Sequence, residues 1–257
     1  MPEALDILGL KINPLTMQET IDLIMDKISE EEYGCSAVFT PNAEIVMQAR
    51  NNEKFRQILN ESWLNLPDGA GLQLAAKILP HTSSLPARVA GCDLLENLLE
   101  ISADRNFSVY FLGAKPGVAA EAAHKAQKKT SQVNISGCHH GYLHKTDIEN
   151  LIQQINNRQP DILFVGMGAP RQEKFIYFNQ EELNVKVAVT VGGSFDVLAG
   201  NVNRAPRIIQ KLYLEWFYRL LQEPKRWRRI SRLPRFMGLV MSERLKQVLK
   251  NDFRVII

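Results

Sequence analysis

The sequence predicts an α/β fold: a mostly parallel sheet flanked by helices, followed by a helical, basic C-terminal appendage. Three observations predict it. Short apolar, β-branched runs alternate with longer stretches of helical periodicity, the pattern of parallel strands joined by crossover helices. Glycine-rich loops follow several of the short runs, where ligands bind in doubly wound sheets. After Gly200 the composition changes to basic residues and a helically spaced apolar stripe. The chain is therefore divided into a Rossmann-like core, 1–200, and an appendage, 201–257.

Taken in order, the strand candidates are Ala37 to Thr40, Trp63 to Leu66, Val109 to Leu112, Asp161 to Gly166 and Val185 to Val191. Ala43 to Asn60, Cys92 to Arg105, Val118 to Thr130 and Asp147 to Asn157 read as helices, with Asp93 and Asp147 placed where N-caps would help. In the appendage, Ile208, Ile209, Leu212, Tyr213, Trp216, Phe217, Leu220 and Leu221 form the stripe, with Gln210, Lys211, Glu215 and Arg219 opposite. Pro206 suits a first helical turn, and Pro224 should stop or kink the segment. A run of basic residues from Lys225 to Arg235 precedes a last helical pattern from about Phe236 to Lys250.

Composition excludes several classes. With 257 residues, 45 % of them apolar and 23 % charged, the chain is neither disordered nor fibrous. Its net charge of +3 conceals an asymmetry: Arg204 to Arg235 alone carries roughly +8, against only Glu215 and Glu223. Cys35, Cys92 and Cys138 are odd in number and scattered, which argues against a disulfide framework or thiolate metal site and for a reducing cytoplasm. The N-terminal MPEALDILGLKIN lacks a basic leader with an apolar core, and no run of about 18 apolar residues occurs, so membrane contact is expected to be peripheral.

The loops after the strand candidates hold the residues that could do chemistry. Gly113, Gly166, Gly168, Gly192 and Gly193 would let backbone N–H groups approach phosphate oxygens at helix starts, or would simply permit tight turns. Gly166 and Gly168 begin a dinucleotide fingerprint that Arg171 interrupts. Asp68, in Pro-Asp-Gly-Ala-Gly, is the sharpest candidate for a general base taking a proton from a sugar hydroxyl; a turn residue is the alternative. Thr40 and Asn42 either cap the following helix or orient a substrate, and Gln172 and Glu173 stand at a helix start with the same two options. His139, His140 and His144 lie in a stretch that reads as a loop with no completing ligand, so no metal is expected there. The Asp-x-Asp element by which many nucleotide-sugar transferases hold a divalent cation is missing, so a departing pyrophosphate would need arginines and helix dipoles.

Several of these motifs together resemble one family. Thr-Pro-Asn at Thr40, Leu-Pro-Asp-Gly-x-Gly at Leu66 to Gly71, Arg-Val-x-Gly-x-Asp at Arg88 to Asp93 and Phe-Leu-Gly at Phe111 to Gly113 come first. Gly-x-Gly-x-Pro-x-Gln-Glu at Gly166 to Glu173 and Val-Gly-Gly-x-Phe-Asp at Val191 to Asp196 follow, then Arg-Ala-Pro, Leu-Glu-Trp and Glu-Pro within Arg204 to Pro224. In this order, over about Leu8 to Arg235, they resemble the WecG/TagA/CpsF glycosyltransferases; Tyr213 stands where a glycine often precedes Leu-Glu-Trp. The resemblance implies an inverting, metal-independent transferase using a UDP-activated sugar, typically N-acetylmannosamine or its uronic acid. The acceptor it implies is undecaprenyl-diphosphate-linked N-acetylglucosamine, with no cofactor. It assigns Asp68 as general base, Thr40, Asn42, Arg88 and Gln172 as polar site residues, and Gly113, Gly192 and Asp196 to the neighbourhood of the nucleotide. It further implies a membrane-docking C-terminal segment whose arginines complete the site, with Arg219, Arg226 and Arg229 the positions expected here.

The expected location is thus the inner face of the plasma membrane, with an anionic lipid surface as partner; off the membrane, the apolar stripe could be hidden in a homo-oligomer. Two rivals remain. A nicotinamide-dependent oxidoreductase would need a complete glycine fingerprint and an acidic ribose ligand about 20 residues beyond it, which are not found. A nucleic-acid-binding module would need readers on the basic face, where Trp216, Phe217 and Trp227 read instead as packing or interfacial anchors.

Overall fold

The computed structural model describes residues 2–31, 34–79, 85–206, 208–209, 214–224, 227 and 231–254. Its strands are β1 (Leu5–Ile7), β2 (Leu10–Ile12), β3 (Ser36–Phe39), β4 (Leu64–Asn65), β5 (Ser108–Gly113), β6 (Asn134–His139), β7 (Ile162–Gly166) and β8 (Val187–Thr190). The last six form one sheet in the order β4-β3-β8-β7-β5-β6, and every pairing in it is parallel. All the carboxyl ends therefore open on the same edge.

Strand side chains alternate between two apolar layers. Phe39, Leu112, Val165 and Ala188 face one layer, while Val38, Phe111, Phe164 and Val189 face the other. Both faces are covered, which is why these strands read as continuous apolar runs in the sequence. The first layer is packed by helices α2 (Ala43–Arg50), α3 (Glu53–Asn60), α4 (Ala70–Ile78), α7 (Ile148–Arg158) and α8 (Arg171–Asn179) and by the β1-β2 hairpin. The second is packed by α1 (Met17–Ser29), α5 (Gly91–Arg105), α6 (Val118–Lys129) and α9 (Ser194–Leu198). Phe111 anchors it, stacked on Phe195 at 4.9 Å and edge-on to Phe164 at 5.9 Å between ring centroids.

The structure departs from the sequence reading in identifiable places. The helix expected over Ala43 to Asn60 is two, because Asn52 turns extended and its Oδ1 accepts the Phe55 N–H at 3.1 Å, starting a new helix. Asp93 is not an N-cap: α5 starts two residues earlier, and Asp93 sits in its first turn, ion-paired with Arg204. Asp147 holds the N-cap position of α7 without a capping bond, its Oδ1 accepting instead from Thr146 Oγ1 at 3.1 Å. The stretch through His139 is not a loop but the end of edge strand β6, made possible by Gly137, where a Cβ would lie 2.5 Å from the Tyr110 ring.

Among the described residues, two further helices are traced after the core: α10 (Glu215–Gln222) and α11 (Arg232–Arg254). The start of α11 belongs to the first apolar layer, since Phe236 and Val240 are wholly buried there and the helix packs on α2 and α4. By contrast α10 buries no residue.

Candidate active site

A cleft of about 270 Å³ opens at the carboxyl ends of the four neighbouring strands β4, β3, β8 and β7. Thr40 and Asn42 reach it from the end of β3, Asp68 from beyond β4, Val191 to Ser194 from β8, and Gly168 and Gln172 from beyond β7. Arg88 comes from the approach to α5, and Glu215, Trp216 and Arg219 close it from α10.

The loops are held by the sheet. Leu66 N–H donates to Phe39 O at 2.8 Å, Asp68 N–H to Pro41 O at 2.9 Å and Val89 N–H to Pro67 O at 2.9 Å, so three crossing segments are stitched together around Asp68. Thr40 does not cap a helix: its Oγ1 donates to Thr190 O at 2.9 Å, and its N–H donates to Thr190 Oγ1 at 3.1 Å, tying β3 to β8 at the cleft floor. Asn42 is the cap, its Oδ1 accepting from Ile45 N–H at 3.1 Å. The chain leaves Asp68 through Gly69, whose φ of +90° would strain any other residue.

Five helices aim their amino ends at this cleft: α2, α4, α5, α8 and α9 all contribute first-turn or cap residues to its lining. In four of them the cap residues, Gly69, Ala90, Pro170 and Gly193, provide no side-chain capping bond. The partial positive charge of these helix ends converges there, a setting for an anionic ligand.

The charged side chains complete it. Arg88 Nε stands 3.5 Å from Asp68 Oδ1, and the other end of its guanidinium donates to Glu215 Oε2 at 2.6 Å. Arg219 lies 3.7 Å from Glu215 Oε1. Burial holds the Asp68 carboxyl above the usual carboxylate range, and the positive charges of Arg88 and Arg219 pull it partly back. A carboxylate so placed is a stronger base than a free one yet is kept ionisable by its arginines.

The structure brings together Thr40, Asn42, Asp68, Arg88, Gln172, Gly192 and Arg219 in this cleft. Gly113, Gly166 and Asp196 lie outside its lining. The two glycines meet a packing need: a Cβ on Gly113 would fall 2.4 Å from Gly166 O, and one on Gly166 would fall 2.7 Å from the Phe195 ring. Through its backbone carbonyl, Asp196 accepts from Asn201 and Val202, closing the turn after α9. Arg226 and Arg229 lie outside the described residues, as do Leu212 and Tyr213 of the apolar stripe. Among the described residues, no group of three or more His, Cys, Asp or Glu is arranged to hold a metal. Sequence reasoning missed Glu215 as a site residue; its signals were its place in the Leu-Glu-Trp motif and its acidity, shared only with Glu223, in a basic stretch.

The profile of the glycosyl transferase WecG/TagA/CpsF family matches residues 5–250. A Bacillus spizizenii protein named N-acetylglucosaminyldiphosphoundecaprenol N-acetyl-beta-D-mannosaminyltransferase is 36 % identical over 204 residues, covering 79 % of this chain and 78 % of its own. Proteins of the same name from Bacillus subtilis and Staphylococcus aureus are each 32 % identical, over 87 % of this chain and 85 % of theirs, and over 94 % and 93 %, respectively. Neither an oxidoreductase nor a nucleic-acid-binding protein stands among these relatives. With a family match spanning nearly the whole chain and relatives of this identity and coverage, the chain belongs to the WecG/TagA/CpsF glycosyltransferases.

Proposed function

We propose that this enzyme transfers N-acetylmannosamine from its UDP derivative to N-acetylglucosamine carried on undecaprenyl diphosphate, in the synthesis of teichoic acid or a related cell-surface polysaccharide. The relatives' shared name supports the acceptor and the sugar. The observation that carries the chemistry is Asp68, a carboxylate of raised basicity facing a cleft ringed by helix amino ends and arginines.

In this reading Asp68 takes the proton of the acceptor hydroxyl as its oxygen attacks the anomeric carbon from the face opposite the nucleotide. The bond to the UDP oxygen breaks, and UDP leaves with that electron pair, giving inversion in a single displacement. Developing charge on the diphosphate meets the backbone N–H groups of the uncapped helices and the guanidinium groups of Arg88 and Arg219, so the chemistry asks for no metal. Nothing in it requires a redox cofactor.

The reaction would take place on the inner face of the plasma membrane. No described helix is long and apolar enough to cross a membrane. Yet Ile208, Phe217, Leu221 and Trp227 are exposed on a segment rich in arginine and lysine, the combination an interfacial element presents to anionic lipid.

The direct test incubates the protein with a lipid-diphosphate N-acetylglucosamine analogue and a panel of UDP-sugars and measures UDP release, with and without EDTA. Release with UDP-N-acetylmannosamine, unaffected by chelator, is expected. Turnover with another sugar only, or complete inhibition by EDTA restored by metal, would overturn the donor or the metal-independence respectively.

A further inference from the structure

Behind the cleft wall, α8 buries two consecutive polar side chains in its first turn. Gln172 is 3 % exposed and Glu173 only 1 %. Gln172 lines the cleft, whereas Glu173 does not. The Gly168 N–H donates to Gln172 Oε1 at 3.0 Å. A backbone N–H has only a donor to offer, so the atom facing it must be the carbonyl oxygen, which assigns the orientation of the amide. Gln172 Nε2 then donates one N–H to Glu173 Oε1 at 2.9 Å. The second N–H of that nitrogen is what the side chain retains for a ligand.

An acidic residue in a first helical turn is ordinarily explained by the helix dipole. That explanation needs no burial, and here burial is costly: Glu173 Oε2 is enclosed without any hydrogen-bond partner. Desolvation pushes the carboxyl up to about 7, with the bond from Gln172 opposing the shift. An apolar side chain of the same length would fill the space without these penalties. Besides accepting its own backbone N–H, what the carboxyl supplies is an acceptor for Gln172.

We propose that Glu173 is a positioning residue for sugar transfer: by accepting one N–H of Gln172 while Gly168 binds its oxygen, it fixes that amide as a hydrogen-bond donor to an oxygen of the bound sugar or diphosphate. The nature of the ligand rests on the transfer reading above; the locked amide does not.

The test is a double-mutant cycle on kcat/KM with a soluble acceptor, using Glu173→Met, Glu173→Gln, Gln172→Ala and Gln172→Ala with Glu173→Met. Glu173→Met should lose about tenfold, and Glu173→Gln, whose amide oxygen still accepts, should stay within about threefold of the parent. Glu173→Met should cost nothing further once Gln172 is Ala, which a merely structural role would not produce. Additive losses, full activity in Glu173→Met, or failure of Glu173→Gln to rescue would each overturn the proposal. Should Glu173→Met not fold, Glu173→Ala takes its place. The side-chain amide resonances of Gln172 supply a readout that needs no turnover. They should be two distinct signals in the parent and in Glu173→Gln, and shifted or broadened in Glu173→Met; unchanged signals would sink the lock. Absence of transfer with every UDP-sugar would sink the transfer reading while leaving the amide result standing.

Discussion

The two walls of the cleft are built on different principles. On the sheet side, Thr40, Asn42, Asp68 and Gln172 hang from segments cross-bonded through their backbones and backed by a buried apolar layer. On the C-terminal side, α10 brings Glu215, Trp216 and Arg219 but buries nothing of its own. Among the described residues, charged links tie it to the core, Glu215 to Arg88, with Arg204 binding Asp93 and Glu96 just upstream, and Gln222 adds neutral hydrogen bonds to Asn203. One wall is specified by packing and so is insensitive to its surroundings. The other is specified by charge, which salt, pH and an anionic surface can all change. With the C-terminal segment docked on the bilayer as proposed above, such a division would have a use: chemistry fixed on the sheet, access governed by the docking segment.

The largest expected effect lies on the sheet side. Asp68→Asn removes the proposed base without changing shape and should lower turnover by roughly 100- to 10,000-fold while leaving the melting temperature close to that of the parent. Near-parental turnover would take Asp68 out of the mechanism.

The cost of a packed wall should appear in stability. Glu173 titrates at about 7 in the folded chain against an ordinary value of 4.5, so its neutral form is favoured by folding. Stability from this group is fully present below about 4.5 and declines as pH rises toward 7, to a total on the order of 3 kcal/mol. Glu173→Gln should therefore be more stable than the parent at pH 8 and indistinguishable from it at pH 4. Thermal melts at both values decide, and equal curves at pH 8 would mean that the carboxyl is not buried in solution.

How much of this was legible beforehand follows the same division. Strands β3, β5, β7 and β8 announce themselves because both faces are buried, and the loops at Thr40, Asp68 and Gln172 announce themselves because they follow such strands. Strand β6 is illegible by pattern: Asn-Ile-Ser-Gly-Cys-His is an edge strand whose pairing with β5 is backbone work and whose side chains are all exposed or half-buried. The break at Asn51 and Asn52 is a capping event inside an otherwise continuous periodicity. Gly113 and Gly166 show why a glycine after a strand is ambiguous, since the first serves close packing of β5 against β7 and the second makes room for the Phe195 ring of α9. Glu215 stood in the Leu-Glu-Trp motif, but its pairing could not be read there because the partner, Arg88, is 127 positions away in the chain.

Whether the charged wall stands beside Asp68 in solution can be read from the acid limb of kcat/KM, which rises as Asp68 loses its proton. Arg88 and Arg219 hold the Asp68 carboxyl down and Glu215 raises it. Arg88→Met and Arg219→Met should accordingly move the limb to higher pH, and Glu215→Gln should move it to lower pH. Opposite shifts from two partners of one ion pair are not expected of a general loosening. A limb that ignores both Glu215→Gln and Arg219→Met would place α10 away from the cleft and leave the site with one wall.

The smallest effect concerns how α11 is attached. Arg232 reaches Glu44 on α2 at 3.2 Å, but the Arg232 side chain is 40 % exposed, where water and salt screen the pair. Four residues on, Phe236 is completely buried between α2 and α4, and Val240 follows it one turn later. If apolar burial fixes this helix, Arg232→Ala should cost less than about 1 kcal/mol, and the loss should shrink further in high salt. Charge would then govern only the stretch between Arg204 and Arg232, which is the stretch carrying Glu215 and Arg219. A large, salt-sensitive loss from Arg232→Ala would instead show the whole C-terminal segment to be electrostatically held, and the contrast between the walls would extend to the end of the chain. Chemical denaturation of the two proteins at low and high salt separates these outcomes without touching a residue that faces the substrate.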